Sequence, residues 1–269
     1  MTDPIRIAIH GADGRMGRSL VEQVRQEPGL KLVAALVDAG SRVAGTPVVM
    51  PAVPGGLAYS TRLAEGVQPQ VLVDFTSPDG FDQALVLCRE RGIALVSGTT
   101  GLDPARLRML ADAAREIAIL HAANFSLGIS LLTRLLREAA AALPQWDLEI
   151  LEAHHGRKQD APSGTALALG EAAAAARGQR LEAVATPPRA GITGPRVAGS
   201  IGFAVMRGGD VVGEHSAWLL APGERIELTH RAGSRAIFAR GALAAARWLA
   251  GRPAGHYQLE QVLAPSAGT

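Results

Sequence analysis

The chain has 269 residues, enough for one large or two ordinary domains, and it is 48% hydrophobic but only 4% aromatic. Its formal charge is +2, from 27 basic and 25 acidic side chains, and no long Lys/Arg run occurs, which argues against a nucleic-acid partner. The longest apolar stretch, near 131–143, is interrupted by Arg134, Arg137 and Glu138 and is too short to span a membrane.

No charged-then-apolar leader opens the chain, so export by that route is not expected. Residues 5–9 alternate apolar with small or polar side chains between Pro4 and Gly11, which predicts a buried first strand. Gly11, Gly14 and Gly17 follow, and 18–24 then take helical apolar spacing. In such a unit the glycines serve a tight turn, close backbone approach to a pyrophosphate, and packing of helix on strand. The G-x-x-G-x-x-G spacing points to a dinucleotide site, with a ligand-free glycine turn as the alternative. A second strand, 31–37, ends at Asp38, about 20 residues past the loop, where an acidic side chain binds a ribose hydroxyl.

Residues 71–75 predict the next strand, and Thr76-Ser77-Pro78-Asp79 caps a helix over 81–91. The lone Cys88 lies in that helix, cannot form an internal disulfide, and fits a reduced, cytoplasmic setting. Strand 93–97, loop 98–101, helix 104–116, strand 117–121, loop 122–126 and helix 127–142 continue the alternation. Repeated βα units imply an α/β fold with a Rossmann-type, doubly wound parallel sheet. Ligands of such sheets lie beyond the strand carboxyl ends, where the loops at 11–17, 76–77, 98–101 and 124–125 all fall. Gly98-Thr99-Thr100 reads equally as an N-cap turn.

From about residue 127 the rhythm changes. Strand 148–154, helix 164–176 and a Pro/Gly-rich loop over 184–199 precede three strands, 201–207, 211–220 and 224–230. Turns at Gly208-Gly209-Asp210 and Ala221-Pro222-Gly223 predict that these three run antiparallel. Helix 236–250 resumes the α/β pattern, and the tail 264–269 carries no signal. The middle region is thus a smaller α+β domain with a mixed sheet and too few helices to cover both faces. Burial of its bare face against another subunit follows.

The chemistry concentrates in 152–165, Glu-Ala-His-His-Gly-Arg-Lys-Gln-Asp-Ala-Pro-Ser-Gly-Thr. His154, His155, Arg157 and Lys158 crowd together just before a turn that opens an Ala-rich helix. A helix N-terminus binds carboxylates, while His and Lys supply protons near neutral pH. The pattern suits a small, multiply anionic substrate that is protonated during reaction; a solvated basic loop accounts for the same residues. A metal-dependent hydrolase on His154, His155 and Asp160 is disfavoured, because adjacent histidines point to opposite sides of a strand. No metal is expected.

The run from Glu152 to Thr165 resembles the signature of the 4-hydroxy-tetrahydrodipicolinate reductase (dihydrodipicolinate reductase) family of bacterial and plant lysine and diaminopimelate biosynthesis. The resemblance extends through 11–17, Val73-Asp-Phe-Thr76, Gly98-Thr-Thr-Gly101, Ala122-Ala-Asn-Phe125, Gly199-Ser-Ile-Gly202 and Gly213-Glu-His215. It implies a cytoplasmic NAD(P)H-dependent oxidoreductase that reduces a dehydrated, cyclic dicarboxylate. His154 and Lys158 then match the acid/base pair, His155 a substrate contact, and Gly164 with Thr165 the carboxylate-binding pair. Arg235 is either a further carboxylate partner or a surface arginine at a domain hinge. Gly11, Ala12, Asp13, Gly14, Arg15, Met16, Gly98, Thr99, Thr100, Ala122, Ala123, Asn124 and Phe125 match the family's dinucleotide contacts, with Asp38 on the adenosine ribose.

The chain departs from the family where Ala39 and Gly40 follow Asp38, in place of an arginine able to bind a 2′-phosphate. NADH is therefore expected to serve at least as well as NADPH, unless Arg42 or Arg15 compensates. The resemblance also implies a dinucleotide domain over 1–126, completed by 236–269, a substrate and assembly domain over 127–235, and a homotetramer. Two rival readings remain: another nicotinamide-dependent dehydrogenase, acting for instance on an amino-acid semialdehyde, and a non-catalytic dinucleotide sensor.

Overall fold

The computed structural model describes residues 3–48 and 56–264. In chain order it holds β1 (Ile5–His10), α1 (Arg15–Val24), β2 (Leu30–Leu36), β3 (Tyr59–Ser60), β4 (Val71–Asp74), α2 (Pro78–Arg91), β5 (Ala94–Ser97), α3 (Pro104–Ala113), β6 (Ala118–His121) and α4 (Leu127–Ala142). There follow β7 (Asp147–His154), α5 (Gly164–Ala176), α6 (Leu181–Val184), β8 (Ile201–Arg207), β9 (Gly213–Ala221), β10 (Glu224–Ala232), α7 (Ala236–Leu249), β11 (Gly255–Tyr257) and a 3-10 turn (Leu259–Leu263). The chain folds as two compact units that part at Leu127/Gly128 and at Arg235/Ala236, so the C-terminal segment belongs with the N-terminal one.

In the first unit seven parallel strands stand in the order β11-β6-β5-β4-β1-β2-β3. The order runs outward from β1 in both directions, which puts the switch point between β1 and β4. Strands buried on both faces need apolar side chains on both, and Val71, Leu72 and Val73 have no exposed surface. Ile7, Ile9, Val71 and Val73 pack with α1 and α7, while Ala8, Leu72 and Leu95 pack with α2 and α3. Helix α7 docks closely because its contact side chains are small. A Cβ on Gly241 would lie 1.8 Å from the Phe125 carbonyl oxygen.

Side-chain caps set the starts of α2, α3 and α5. Ser77 Oγ accepts from Gly80 N, and Pro78 opens α2 three residues before the apolar spacing begins. The cap of α3 is Asp103, whose carboxylate accepts from Arg106 N, so the 98–100 turn is not a cap. Cys88 is fully buried in α2.

The second unit carries a four-stranded sheet in the order β10-β9-β7-β8. The last three strands do alternate in direction, as their turns predict, but β8 and β9 are not neighbours. Strand β8 pairs in parallel with β7, and β9 pairs antiparallel with both β7 and β10. The Gly208-Gly209 turn therefore crosses the end of β7, where Gly208 N donates to the His154 carbonyl. Two glycines favour a tight turn locally, but they do not choose which strand becomes the neighbour. Five residues, 208–212, suffice to step over one strand at about 4.8 Å per strand.

One face of this sheet packs on α4 and α5 through Leu148, Ile150, Ala217 and Leu219. Among the described residues no helix of this unit packs its core onto the other face, where Met206 is 71% exposed. The 184–199 segment is instead tied to the sheet by charge, Arg189 and Arg196 both bonding the Glu149 carboxylate. The expectation for the tail falls, beyond Ala264, outside the described residues. No described helix is long and apolar enough to cross a membrane.

Candidate active site

The first unit gathers its loops at the switch point. Gly11 takes φ +76°, and a Cβ there would lie 2.7 Å from the Phe75 carbonyl oxygen. A Cβ on Gly17 would lie 2.0 Å from the Gly11 carbonyl oxygen, so α1 can meet the turn only through glycine. Gly98 leaves room for the Phe75 ring, which packs 5.4 Å from the ring of buried Phe125. Beneath them Asp74 has no exposed surface. It accepts from Thr76 Oγ1 (2.6 Å), Ser97 Oγ (2.8 Å) and Thr99 Oγ1 (2.8 Å), and His10 Nδ1 lies 3.1 Å away. One carboxylate thus braces the loops that follow β1, β4 and β5.

The segments after β1, β2 and β4 border a cleft of about 490 Å³ lined by Gly11, Asp13, Gly14, Asp38, Thr76 and Ser77, and the 98–100 and 122–125 loops are not part of that lining. Gly14 supplies no side-chain cap to α1, and the first turn holds no acidic residue. The helix start is therefore open to an anion such as a pyrophosphate, and a dinucleotide fits. Asp38 is exposed; its Oδ1 accepts from Gly40 N. Asp13 Oδ2 accepts from Ser41 Oγ at 2.6 Å and ties the glycine loop to the segment after β2. Arg15, Thr100 and Ala123 are exposed, whereas Ala12, Thr99 and Phe125 are buried supports. Ala122 N donates to Ser97 O, and Asn124 Oδ1 accepts from Ser126 N.

In the second unit the site grows out of the core. The inward positions of β7 read Leu148, Ile150, Glu152, His154, and those of β9 opposite read Leu219, Ala217, His215. Both stripes turn from apolar to polar at the same end. Glu152 is 3% exposed. It receives His154 Nδ1, Ser163 N at 3.1 Å and both terminal nitrogens of Arg207, at 3.0 and 2.8 Å. Burial pushes its carboxyl up, yet the bonds from Arg207, His154 and Ser163 together hold it below the ordinary value.

Ser163 is the hinge between this cluster and α5. Its Oγ accepts from Ala166 N at 3.2 Å, capping the helix, and lies 3.1 Å from His215 Nε2. Burial first, then the charge of His154, pushes His215 down to about 4, so it is neutral at pH 7. Gly164 is exposed and Thr165 half-buried in the first turn of that helix. Lys158 Nζ pairs with Asp160 Oδ1 at 2.8 Å. His155 Nε2 lies 3.4 Å from Arg235 Nη2, so these two expected substrate contacts are neighbours. Desolvation, followed by the charges of Arg157, Arg235, His154 and Lys158, lowers His155.

The set His154, His155 and Asp160 is not drawn together as metal ligands. Glu152, His154 and His215 do offer ligand atoms within 4.8 Å of one another. The Arg207 guanidinium already lies bidentate on that carboxylate, and its charge opposes a second cation. The sequence reading quoted Asp74, Glu152 and His215 without giving them a role, counted the Ser163 amide among the substrate's anion donors where it instead donates to Glu152, and passed over Arg207. The signal was present: a carboxylate on an apolar, inward stripe needs a buried partner.

Residues 5–125 match the family model described as dihydrodipicolinate reductase, N-terminus, and residues 128–263 match dihydrodipicolinate reductase, C-terminus. A 4-hydroxy-tetrahydrodipicolinate reductase of Nitrosospira multiformis is 47% identical over 96% of this chain and 97% of its own. That of Pseudomonas fluorescens is 48% identical over 96% of this chain and 98% of its own. Among solved structures, a dipicolinate-bound dihydrodipicolinate reductase from Paenisporosarcina sp. TG-14 superposes with a TM-score of 0.80 at 25% identity, covering 97% of this chain and 100% of that one. An amine dehydrogenase from Mycobacterium smegmatis, 12% identical with a TM-score of 0.56 over 95% of each chain, shares the fold alone.

Proposed function

Because this chain belongs to the dihydrodipicolinate reductase family, we propose a division of labour among its residues for the family's reaction. The reaction is the NAD(P)H-dependent reduction of 4-hydroxy-tetrahydrodipicolinate, by way of its dehydrated form, in lysine and diaminopimelate biosynthesis. The first unit takes the cofactor through the glycine loop, with Gly98–Thr100 and Ala122–Phe125 beside it. The second takes the cyclic dicarboxylate and carries the surfaces of assembly.

When bound, the reduced nicotinamide supplies a hydride to the substrate ring. The ring then needs one proton, and His154 and Lys158 hold it. The first-turn amides of α5, at Gly164 and Thr165, receive a carboxylate at the positive end of the helix. His155 contacts the substrate, and Arg235 beside it presents a bidentate donor to the second carboxylate. The solved relative that binds dipicolinate, a planar ring dicarboxylate, supports this choice of ligand. The observation that carries the reading is the joining of an imidazole and a helix N-terminus through one buried carboxylate.

NADH oxidation in the presence of 4-hydroxy-tetrahydrodipicolinate tests it. His154→Ala and Lys158→Ala should each lower kcat by about 10²–10⁴-fold with circular dichroism unchanged. Full turnover in both variants overturns the assignment. Asp38, exposed on the nucleotide cleft, would repel a 2′-phosphate, so kcat/KM with NADH equals or exceeds that with NADPH. Asp38→Ala should move the ratio toward NADPH by about tenfold, on the order of 1.4 kcal/mol. A strong NADPH preference in the unsubstituted protein defeats that argument.

The same proposal includes a homotetramer, supported by the sheet face that bears Leu151, Met206 and Trp218 and that no helix covers among the described residues. A cytoplasmic setting, where reduced nicotinamide is at hand, completes it. Sedimentation of Met206→Lys against the unsubstituted chain checks the assembly; equal particle sizes, both smaller than four chains, argue against it.

A further inference from the structure

The proton carrier His154 does not stand alone. Its Nδ1 donates to Glu152, so Nε2 is the nitrogen left to exchange a proton with a reactant. A Cβ on Gly213 would come within 3.1 Å of Nε2, so the ring fits this orientation because that neighbour is glycine. The His215 ring closes the third side, edge to face at 5.2 Å.

Glu152 in turn has little freedom. Both of its oxygens are gripped by Arg207, and that guanidinium also donates to the Asp160 carbonyl at 2.7 Å. Oε1 additionally accepts the backbone N–H of Ser163, the residue whose hydroxyl caps α5. The carboxylate that aligns the imidazole therefore also fixes the start of the helix whose amides take the substrate's carboxylate. A displacement of Glu152 would move both at once.

We propose that Glu152, clamped by Arg207, is a positioning residue that sets the tautomer and angle of His154 and locks them in register with the anion-binding end of α5. It transfers no proton itself. Its role is to hold the Nδ1 proton, so that Nε2 can be charged and discharged in each turnover, as a buried carboxylate does for a catalytic imidazole elsewhere. This rests on His154 being the proton carrier.

Glu152→Gln separates the two bonds. The amide oxygen can still accept from Ser163 N, but the fixed negative charge facing His154 and Arg207 is gone. We expect kcat to fall by about 10²-fold, while KM for the dicarboxylate and Kd for NADH stay within about threefold. Long-range ¹H–¹⁵N correlation of the seven histidines reads the tautomer directly, with His154→Ala supplying the assignment. The unsubstituted protein should show His154 protonated at Nδ1, and Glu152→Gln should shift it toward the Nε2–H form. An Nε2–H tautomer in the unsubstituted protein overturns the proposal whether or not the variant folds. So does Glu152→Gln turnover within twofold of normal while His154→Ala is inactive. Should His154→Ala itself retain turnover, the reading of His154 as proton carrier falls, and this inference with it.

Discussion

Asp74 holds four side chains, at the ends of β1 and β5 and in the loops after β4 and β5, in a place with no access to water. Removing it would strand the Ser97 and Thr99 hydroxyls, and each buried donor left unmatched costs about 1–3 kcal/mol. Asp74→Ala should therefore lower stability by about 2–4 kcal/mol, and NADH should bind about tenfold more weakly because Thr76 and Thr99 lose their anchor. Urea unfolding and NADH fluorescence titration check the two halves; undisturbed binding would mean that the loops hold their shape without the carboxylate. Both Asp74 and Glu152 were visible in the sequence as charges closing apolar strands, Val71-Leu-Val-Asp and Leu148-x-Ile150-x-Glu152. What the sequence does not carry is the partner. Arg207 meets Glu152 from 55 residues away, and no local pattern links the two. His154 and Lys158 stand out for a different reason: they crowd with other cations just before a helix start, a pattern that a proton-donating site and a solvated basic loop share.

Elements meet where glycine lets them. A Cβ on Gly17 would lie 2.0 Å from Gly11 O and 2.6 Å from the α-carbon of Ala12, both backbone atoms that cannot step aside. Gly17→Ala should cost on the order of 3 kcal/mol and displace the loop that receives the pyrophosphate. Gly66→Ala, with nothing within 4 Å, is the control and should stay within about 0.5 kcal/mol. Chemical denaturation of the pair decides the matter: equal midpoints would show that α1 can slide. The first unit was readable as a parallel sheet because each strand run is followed by a helical run, and right-handed crossovers leave few topologies. The second was not. Its β8 and β9 are joined by a glycine turn that looks like a hairpin, and only the insertion of β7 between them shows otherwise. Strands of two and three residues, β3 and β11, are too short for any period and exist because a neighbour pairs with them.

At the scale of the whole molecule, acid is the condition under which the buried polar stripe becomes a liability. His215, pushed down to about 4, stays neutral in the fold at pH values where an unfolded histidine, near 6.5, already binds a proton. Between those values the unfolded state carries the extra proton, so stability rises with pH and is lost on acidification. The contribution is intact above pH about 6.5 and erodes toward pH about 4, by up to about 3 kcal/mol. His155, His230 and His256, each lowered first by desolvation, act in the same direction. Glu149 and Glu152 are lowered despite burial, by their arginine partners and, for Glu152, His154 as well; their contribution goes only as pH falls further, below the ordinary carboxylate range. The second unit should thus weaken before its ion pairs are protonated. Trp146 and Trp218 lie in that unit, so their fluorescence in a Trp248→Phe background follows its urea midpoint. We expect that midpoint to drop between pH 7 and 5, and His215→Gln to flatten the drop even though it starts lower for want of the Ser163 contact. If the pH slope survives the substitution unchanged, the acid sensitivity belongs to the other histidines and not to the polar end of the core stripe.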